Sequence, residues 1–464
     1  MEQKLGTESR PLRVAIIGAG PAGFYATEAL FKTSGLVVQV DMFNRFPTPY
    51  GLVREGVAPD HQSIKAVTRI YDKTAENPNF RYFGNVTLGK DVTHADLKKY
   101  YDQIIYAVGA QSDRKMGIPG EDLENSYPAT VFVGWYNAHP DYCDLEFDLS
   151  CERVAVVGNG NVAMDVARIL VTEPDELAKT DIADYTIEKL RQSKVKEVIL
   201  LGRRGPVQAA FTHPELKEFG ELPNVTVVID PAALELDEHS AAALPSDKSA
   251  TKNVETMRQY ATNPHVKGDR KVEFRYLVSP VEVIGKDGKV AAVKIEKNRL
   301  EKGADGSIKA VGTGEYETLE VGMIFRSVGY KGAPLADVPF DSKSGIIPNV
   351  AGRVTESAGG AVVAGEYVVG WAKRGPSGII GTNKPDSAAT VVSAVQDVSE
   401  LDGIADENRN PVLIENLLQE RGIKYVTYAD WHVINKAEIA RGEQKGSPRV
   451  KFYRVPDMLE VINK

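Results

Sequence analysis

Cysteine is nearly missing from this chain, which carries only Cys143 and Cys151 in 464 residues. The two are too far apart for a C-x-x-C redox pair and too few for a disulfide framework. Thiol–disulfide exchange of the thioredoxin-reductase or lipoamide-dehydrogenase kind needs such a pair, so that chemistry is excluded. No apolar run approaches the length that spans a bilayer. The opening segment, MEQKLGTESR, is polar and lacks the apolar stretch of a signal peptide. A cytoplasmic protein is therefore expected, with no membrane partner. Positive charge is in the minority, with 56 Lys and Arg against 64 Asp and Glu and a net charge of -8. That balance argues against a nucleic-acid binder. No cluster of metal-ligating residues stands out, and no metal is expected. What remains, 42% hydrophobic and 26% charged, is ordinary globular composition, long enough for two to three domains.

The residues 14–23, VAIIGAGPAG, organise the first part of the chain. Four apolar residues make a buried strand, and Gly18, Gly20 and Gly23 turn it into a helix. A tight turn needs the first glycine, close approach of a pyrophosphate the second, and helix–strand packing the third. The helix N-terminus then offers free amide N–H groups to negative charge. A helix over 24–32 and a second strand over 37–43 complete the context of a dinucleotide site. That strand ends in Asp41-Met-Phe-Asn44, near where such folds set an acidic residue against the adenosine ribose. Asp41 stands three residues early and Asn44 takes the usual position, with an amide that can bond a hydroxyl without charge assistance. The Pro- and Gly-rich segment 47–65 reads as a loop, followed by a helix over 63–73. There Asp60 or Ser63 caps the helix and His61 is exposed, or His61 serves the site. A strand over 102–109 closes the unit.

The pattern returns at 153–163, RVAVVGNGNVA, with Gly158, Gly160 and Ala163 in the three key positions. Its second strand, 197–201, ends in Gly202-Arg203-Arg204. No acidic residue reads the ribose there. Two guanidinium groups stand in its place and match the charge and planar geometry of a 2′-phosphate, so this site reads as specific for NADP(H). Two dinucleotide sites of opposite signature bring a flavin against a nicotinamide for hydride transfer. FAD takes the first site and NADPH the second.

Between 230 and 264 the chain is polar and helix-prone. From 272 to 330 it alternates as strands, with hairpin turns at 286–288 and 304–306, and reads as an antiparallel meander returning to the second sheet. A strand within 359–369 and the segment GWAKRGPSGIIGTNK then return to the first unit, where Gly375, Gly378 and Gly381 precede another helix. Trp371 is either core packing or a flat wall for a ring system. An acidic linker, 397–410, leads to a helix over 413–422, a strand-like stretch 423–431 and a basic segment 442–455.

These motifs resemble those of the adrenodoxin-reductase type of NADPH–ferredoxin reductase, above all its bacterial members. The resemblance rests on PYGLVREGVAPDH, YFGNV, FVGWYNAHPD, GNGNVAMDVARILV, GRRGPVQAAFT, RSVGY and GWAKRGPSGIIGTNK, and it extends over the whole chain. It implies an α/β fold with two Rossmann-like dinucleotide-binding domains of the glutathione-reductase/adrenodoxin-reductase type. The FAD domain would comprise 1–109 and 331–397 and the NADP domain 110–330. Residues 398–464 would form a C-terminal extension that the mitochondrial form lacks. By the same resemblance FAD contacts Ala22, Leu52, Val86, Trp371, Gly378, Ile379 and Ile380, and the family's acidic ribose ligand falls on Asn44. NADPH contacts Asn159, Gly160, Asn161, Val162, Arg203, Arg204, Glu215 and Gly378. His61, Asp165 and Glu215 are implied at the reacting centre, with Lys373 and Arg374 close to the flavin. Hydride passes from NADPH to flavin N5, and electrons then pass singly to a small iron–sulfur ferredoxin. Such partners are acidic, so a transient docking face is expected at Lys194, Lys196, Lys252, Arg258, Lys267, Arg270 and Lys271. The reductase is expected as a monomer or weak homodimer. The alternatives are an NADPH-dependent flavin monooxygenase and a non-catalytic flavoprotein redox sensor.

Overall fold

The computed structural model describes residues 4–262, 268–303 and 306–464. Its first sheet has seven strands. Leu12–Ile17 lies at the centre between Val38–Asn44 and Gln103–Tyr106. Phe80–Gly84 flanks the one and Val362–Val368 the other, all in parallel. Arg353–Thr355 and Asn349–Val350 add an antiparallel edge. The central strand is buried at every residue, as a parallel strand covered on both faces must be. Helix Pro21–Phe31 covers one face together with Asn383–Asp397.

The second sheet has six strands, in the order Ser126–Pro128, Met323–Arg326, Arg153–Val157, Glu197–Gly202, Arg270–Tyr276 and Val225–Ile229. Every pair in it is parallel. This corrects the expected meander at its start. Residues 270–276 are a parallel strand of this sheet, and the strand at 225–229 beside it was not foreseen. The apolar alternation of 270–276 reads the same in either sheet; its position depends on register with residues far away in sequence. The meander proper is Val278–Lys286, Lys289–Lys302 and Ile308–Glu320, antiparallel throughout. Met323–Arg326 returns to the six-stranded sheet as expected. The hairpin turn expected at 304–306 falls on Ala304 and Asp305, outside the described residues, as does Lys267.

The helix expected over 63–73 is broken into Gln62–Lys65 and Thr68–Ala75. Neither Asp60 nor Ser63 caps it: His61 holds the N-cap position and its side chain makes no capping bond.

The strand-like stretch 423–431 is also corrected. Only Val426 pairs, exchanging both backbone bonds with Gly84 (2.8 and 2.9 Å) at the edge of the first sheet. Thr427 and Asp430 then form a capping box that starts helix Tyr428–Glu443. This C-terminal segment touches both halves of the chain. Trp431, Ile434 and Met458 join the core of the first sheet, while Lys451 donates to the carbonyl oxygens of Arg54 (3.0 Å) and Asn137 (3.2 Å) and pairs with Asp181.

Candidate functional site

The two glycine turns are built alike. Gly18 and Gly158 have φ of 108° and 133°, and a Cβ on either would meet a carbonyl of the neighbouring strand end, Ala107 O at 2.5 Å and Ser327 O at 2.3 Å. At Gly20 and Gly160 a Cβ would meet nothing within 4 Å. Each turn is thus closed against its own sheet and open on the side where the helix N-terminus points. That is the cradle a pyrophosphate needs.

Around the first turn the chain gathers residues from distant segments. Tyr50 donates its amide N–H to Ala19 O (2.8 Å), and a Cβ on Gly51 would lie 3.1 Å from Gly20, so the Leu52 loop abuts the turn. A Cβ on Gly370 would lie 2.7 Å from Ala22 Cβ, which sets Trp371 beside the helix start. Leu52 and Ile379 are exposed apolar side chains, 39% and 65% accessible. Val86 donates its amide to Asn44 O (2.9 Å). Trp371 donates from Nε1 to Ser377 O, and Arg374 donates to the same oxygen, so both tie down the turn that leads to Gly378. Lys373 bonds Thr390 and pairs with Asp386.

Asp41 and Asn44, at the end of the second strand, are engaged differently. Asp41 is buried and accepts hydrogen bonds from Arg13, Arg81 and Tyr101. Its carboxylate is occupied inside the sheet layer. Asn44 accepts the Ala19 N–H (3.3 Å) and donates to the carbonyls of Phe46 and Thr48, both at 3.0 Å. A carboxylate has no N–H for the last two bonds, which gives a physical reason for an amide here.

At the second turn, Asn159 O accepts amide bonds from Ala210 and Phe211, and Asn161 Oδ1 accepts one from Thr212. The turn is thereby fastened to the start of helix His213–Glu221. Arg203 and Arg204 follow the strand, and neither is in an ion pair among the described residues. Burial, with the neighbouring charge of Arg203, holds the Arg204 guanidinium below its ordinary pKa. Two uncompensated cations side by side are a ready seat for a dianion.

Between the turns lies a cluster that the sequence reading only partly named. His61 Nδ1 is 3.8 Å from Glu215 and 4.0 Å from Asp165, and its Nε2 is 3.0 Å from Glu218. Arg168, on helix Asn161–Val171 with Asp165, contacts Asp60, Asp165, Glu215 and Glu218. Asp60 and His61 come from the loop of the first sheet, and the others from helices of the second. Burial, reinforced by the charge of Asp165, pushes the Glu215 carboxyl up to about 7. Burial also raises Asp165, against the pull of Arg168 and His61. For His61, burial works downward, but its hydrogen bond with Glu218 and the charges of Glu215 and Asp165 outweigh it and raise the pKa. Asp60 goes the other way: burial would raise it, and its paired bonds with Arg168 bring it below the ordinary value. Such a cluster holds a proton near neutral pH. Its spacing of three possible ligands, His61, Glu215 and Glu218, would also suit a metal ion, but the Arg168 guanidinium already stands 3.0 and 3.1 Å from the two glutamates.

Arg168, Asp60 and Glu218 were missed as site residues. For two of them the signal was present: Asp165/Arg168 and Glu215/Glu218 are i,i+3 pairs, the first within a mostly apolar helix.

A family model described as pyridine nucleotide-disulphide oxidoreductase matches residues 12–241. The NADPH-ferredoxin reductase FprA of Mycobacterium tuberculosis is 47% identical, over 97% of this chain and 99% of that protein. The chain belongs to the adrenodoxin-reductase type of NADPH–ferredoxin reductases. The solved structure of FprA in complex with NADPH superposes on the reductase with a TM-score of 0.92, at 46% identity, covering 98% of this chain and all of that one. The mitochondrial NADPH:adrenodoxin oxidoreductase of Salvelinus fontinalis is 40% identical over 97% of this chain and 91% of that protein. A match of that extent reaches into residues 398–464. The expectation that the mitochondrial form lacks this segment is therefore corrected. The reductase is a flavoprotein oxidoreductase with FAD and NADP as its cofactors. Among the described residues, no helix is long and apolar enough to cross a membrane.

Proposed function

We propose that this reductase is an FAD-dependent NADPH–ferredoxin oxidoreductase. FAD is held by residues 1–109 and 331–397, and NADPH by residues 110–330. The observation that carries the reading is the pair of open glycine turns, of which only the second ends on the uncompensated Arg203–Arg204 pair. FAD, when bound, supplies two-electron acceptance from NADPH and one-electron donation to an iron–sulfur centre.

The chain's own residues bind, orient and hold protons. Ala22, Leu52, Val86, Trp371 and the Gly378–Ile380 backbone line the flavin site around Gly18, Gly20 and Gly23, and Asn44 bears on the adenosine ribose. Asn159, Gly160, Asn161 and Val162 take the NADPH pyrophosphate, and Arg203 and Arg204 its 2′-phosphate. His61, Asp165 and Glu215 meet at the boundary of the two nucleotide sites and manage the proton that accompanies hydride transfer. Acidic ferredoxins dock transiently and electrostatically on a cytoplasmic monomer or weak homodimer. Of the basic residues named for that face, Lys196 pairs with Glu152, Arg270 with Glu173, and Lys271 with Glu197 and Glu273. Lys194, Lys252 and Arg258 are in no ion pair among the described residues, so they carry the attraction.

The test is NADPH-dependent cytochrome c reduction by the purified yellow protein, with and without a bacterial ferredoxin, repeated with NADH. Ferredoxin-stimulated turnover with strong preference for NADPH is expected. NADPH oxidation indifferent to every ferredoxin but stimulated by an organic substrate would overturn the reading in favour of a monooxygenase. Tight nucleotide binding without turnover would leave a redox sensor.

A further inference from the structure

We propose that Arg168 is the positioning residue that locks the proton-holding side chains of the reductase into one arrangement across its two nucleotide-binding halves. This rests on the functional reading above.

The guanidinium is the best-satisfied group in the cluster. Its Nε lies 2.8 Å from one oxygen of Asp60, and Nη2 lies 3.0 Å from the other and 2.8 Å from Asp165. Nη1 lies 3.0 Å from Glu215 and 3.1 Å from Glu218. Five carboxylate oxygens thus face a group with five N–H donors. Arg168 is only 2% exposed. A side chain so enclosed cannot exchange its partners for water without opening the boundary between the halves.

Arg168 does not touch His61, yet it governs where that ring sits by two routes. One runs through Asp60, the preceding residue, whose two oxygens it grips. The other runs through Glu218 Oε2, which lies within 3.1 Å of Arg168 Nη1 and 3.0 Å from His61 Nε2. The phenols of Tyr136 and Tyr330 also face the cluster, and both are held neutral by burial. Four carboxylates therefore share one permanent cation and one histidine. Without the guanidinium they cannot all stay ionised in a buried site, and the loop bearing His61 loses its main tie to helices Asn161–Val171 and His213–Glu221. Lysine is no substitute, because a point charge with three donors cannot span five oxygens in a plane.

The experiment compares wild type, Arg168→Gln, Arg168→Lys and Asp60→Asn as FAD-loaded proteins. Flavin reduction by NADPH is followed in a stopped flow against pH, and the His61 ring is titrated by NMR, which is practicable with only seven histidines in the chain. Arg168→Gln should retain FAD, slow reduction by about tenfold, and move both the pH profile and the His61 titration upward by roughly one pH unit. Asp60→Asn keeps the guanidinium but removes a negative charge, so its profile and His61 titration should move downward. Arg168→Lys should restore the profile while leaving the rate low, and millimolar guanidinium should raise the rate of Arg168→Gln. An unchanged His61 titration and pH profile in Arg168→Gln, with or without a fall in melting temperature, overturns the proposal and leaves Arg168 a structural ion pair. Should Arg168→Gln fail to fold, an unmoved titration in Asp60→Asn overturns it equally. A wild-type flavin that NADPH does not reduce would refute the functional reading, and the His61 titrations would still decide the role of Arg168.

Discussion

Arg54 donates from both terminal nitrogens to the two carboxylate oxygens of Glu438 (2.8 and 2.5 Å), and both side chains are buried. The two residues are 384 positions apart in the chain. Arg54 lies in the short helix Leu52–Glu55, which follows Gly51 beside the first glycine turn, and Glu438 lies in the helix Tyr428–Glu443. The C-terminal segment is therefore anchored to the segment that abuts the first glycine turn. Arg449 and the Phe452 amide share the same carboxylate.

Removing that carboxylate strands a buried cation. Glu438→Ala should cost about 3–5 kcal/mol of stability, seen as a lower melting temperature and release of FAD at a lower temperature than in wild type. Unchanged melting would mean that Arg449 and Arg54 find other partners and that the segment is dispensable to the fold.

Arg203 and Arg204 test the nucleotide preference directly. Each charge-assisted bond to a phosphate is worth about 1.5–3 kcal/mol, so the double change to Ala should raise the KM for NADPH on the order of 100-fold or more. The KM for NADH, which has no 2′-phosphate, should stay within a few-fold of wild type. Equal losses with both nucleotides would show that the pair supports the turn without reading the phosphate.

His61→Ala should slow flavin reduction by about 10- to 100-fold through lost positioning while the flavin stays bound. Stopped-flow reduction and the FAD content of the purified variant measure the two effects separately. Wild-type kinetics in this variant would reduce His61 to a loop residue.

Glu215 couples stability to pH with a definite sign. Its carboxyl is raised from 4.5 to about 7 in the folded chain, so between those values the native state binds more protons than the unfolded one. The stability this contributes is full below 4.5 and is lost as pH rises through about 7. Glu215→Gln should therefore flatten the fall of melting temperature with pH across that window. A slope equal to wild type would place the proton on Asp165, its interacting neighbour.

The sequence by itself determined what is local. Strand, glycine turn and helix are fixed by neighbours a few residues apart, because φ above zero and close packing at Gly18 and Gly158 admit no other side chain. The Arg203–Arg204 pair was legible for the same reason, as was the absence of a dithiol. Only the tertiary structure decided the rest. Residues 270–276 have the alternation of any strand, and their place between Glu197–Gly202 and Val225–Ile229 is set by long-range register. Residues 423–431 carry β-prone side chains, yet one bridge to Gly84 and the Thr427–Asp430 cap convert most of them to turn and helix. The sequence points to Asn44 at the ribose position, but that Asp41 is engaged inside the sheet layer by Arg13, Arg81 and Tyr101 shows only in the fold. Arg168 looked like one more arginine on a helix. Its role exists only where Asp60 from one half meets Asp165, Glu215 and Glu218 from the other, since burial turns weak surface pairings into a cluster that fixes charge and position together.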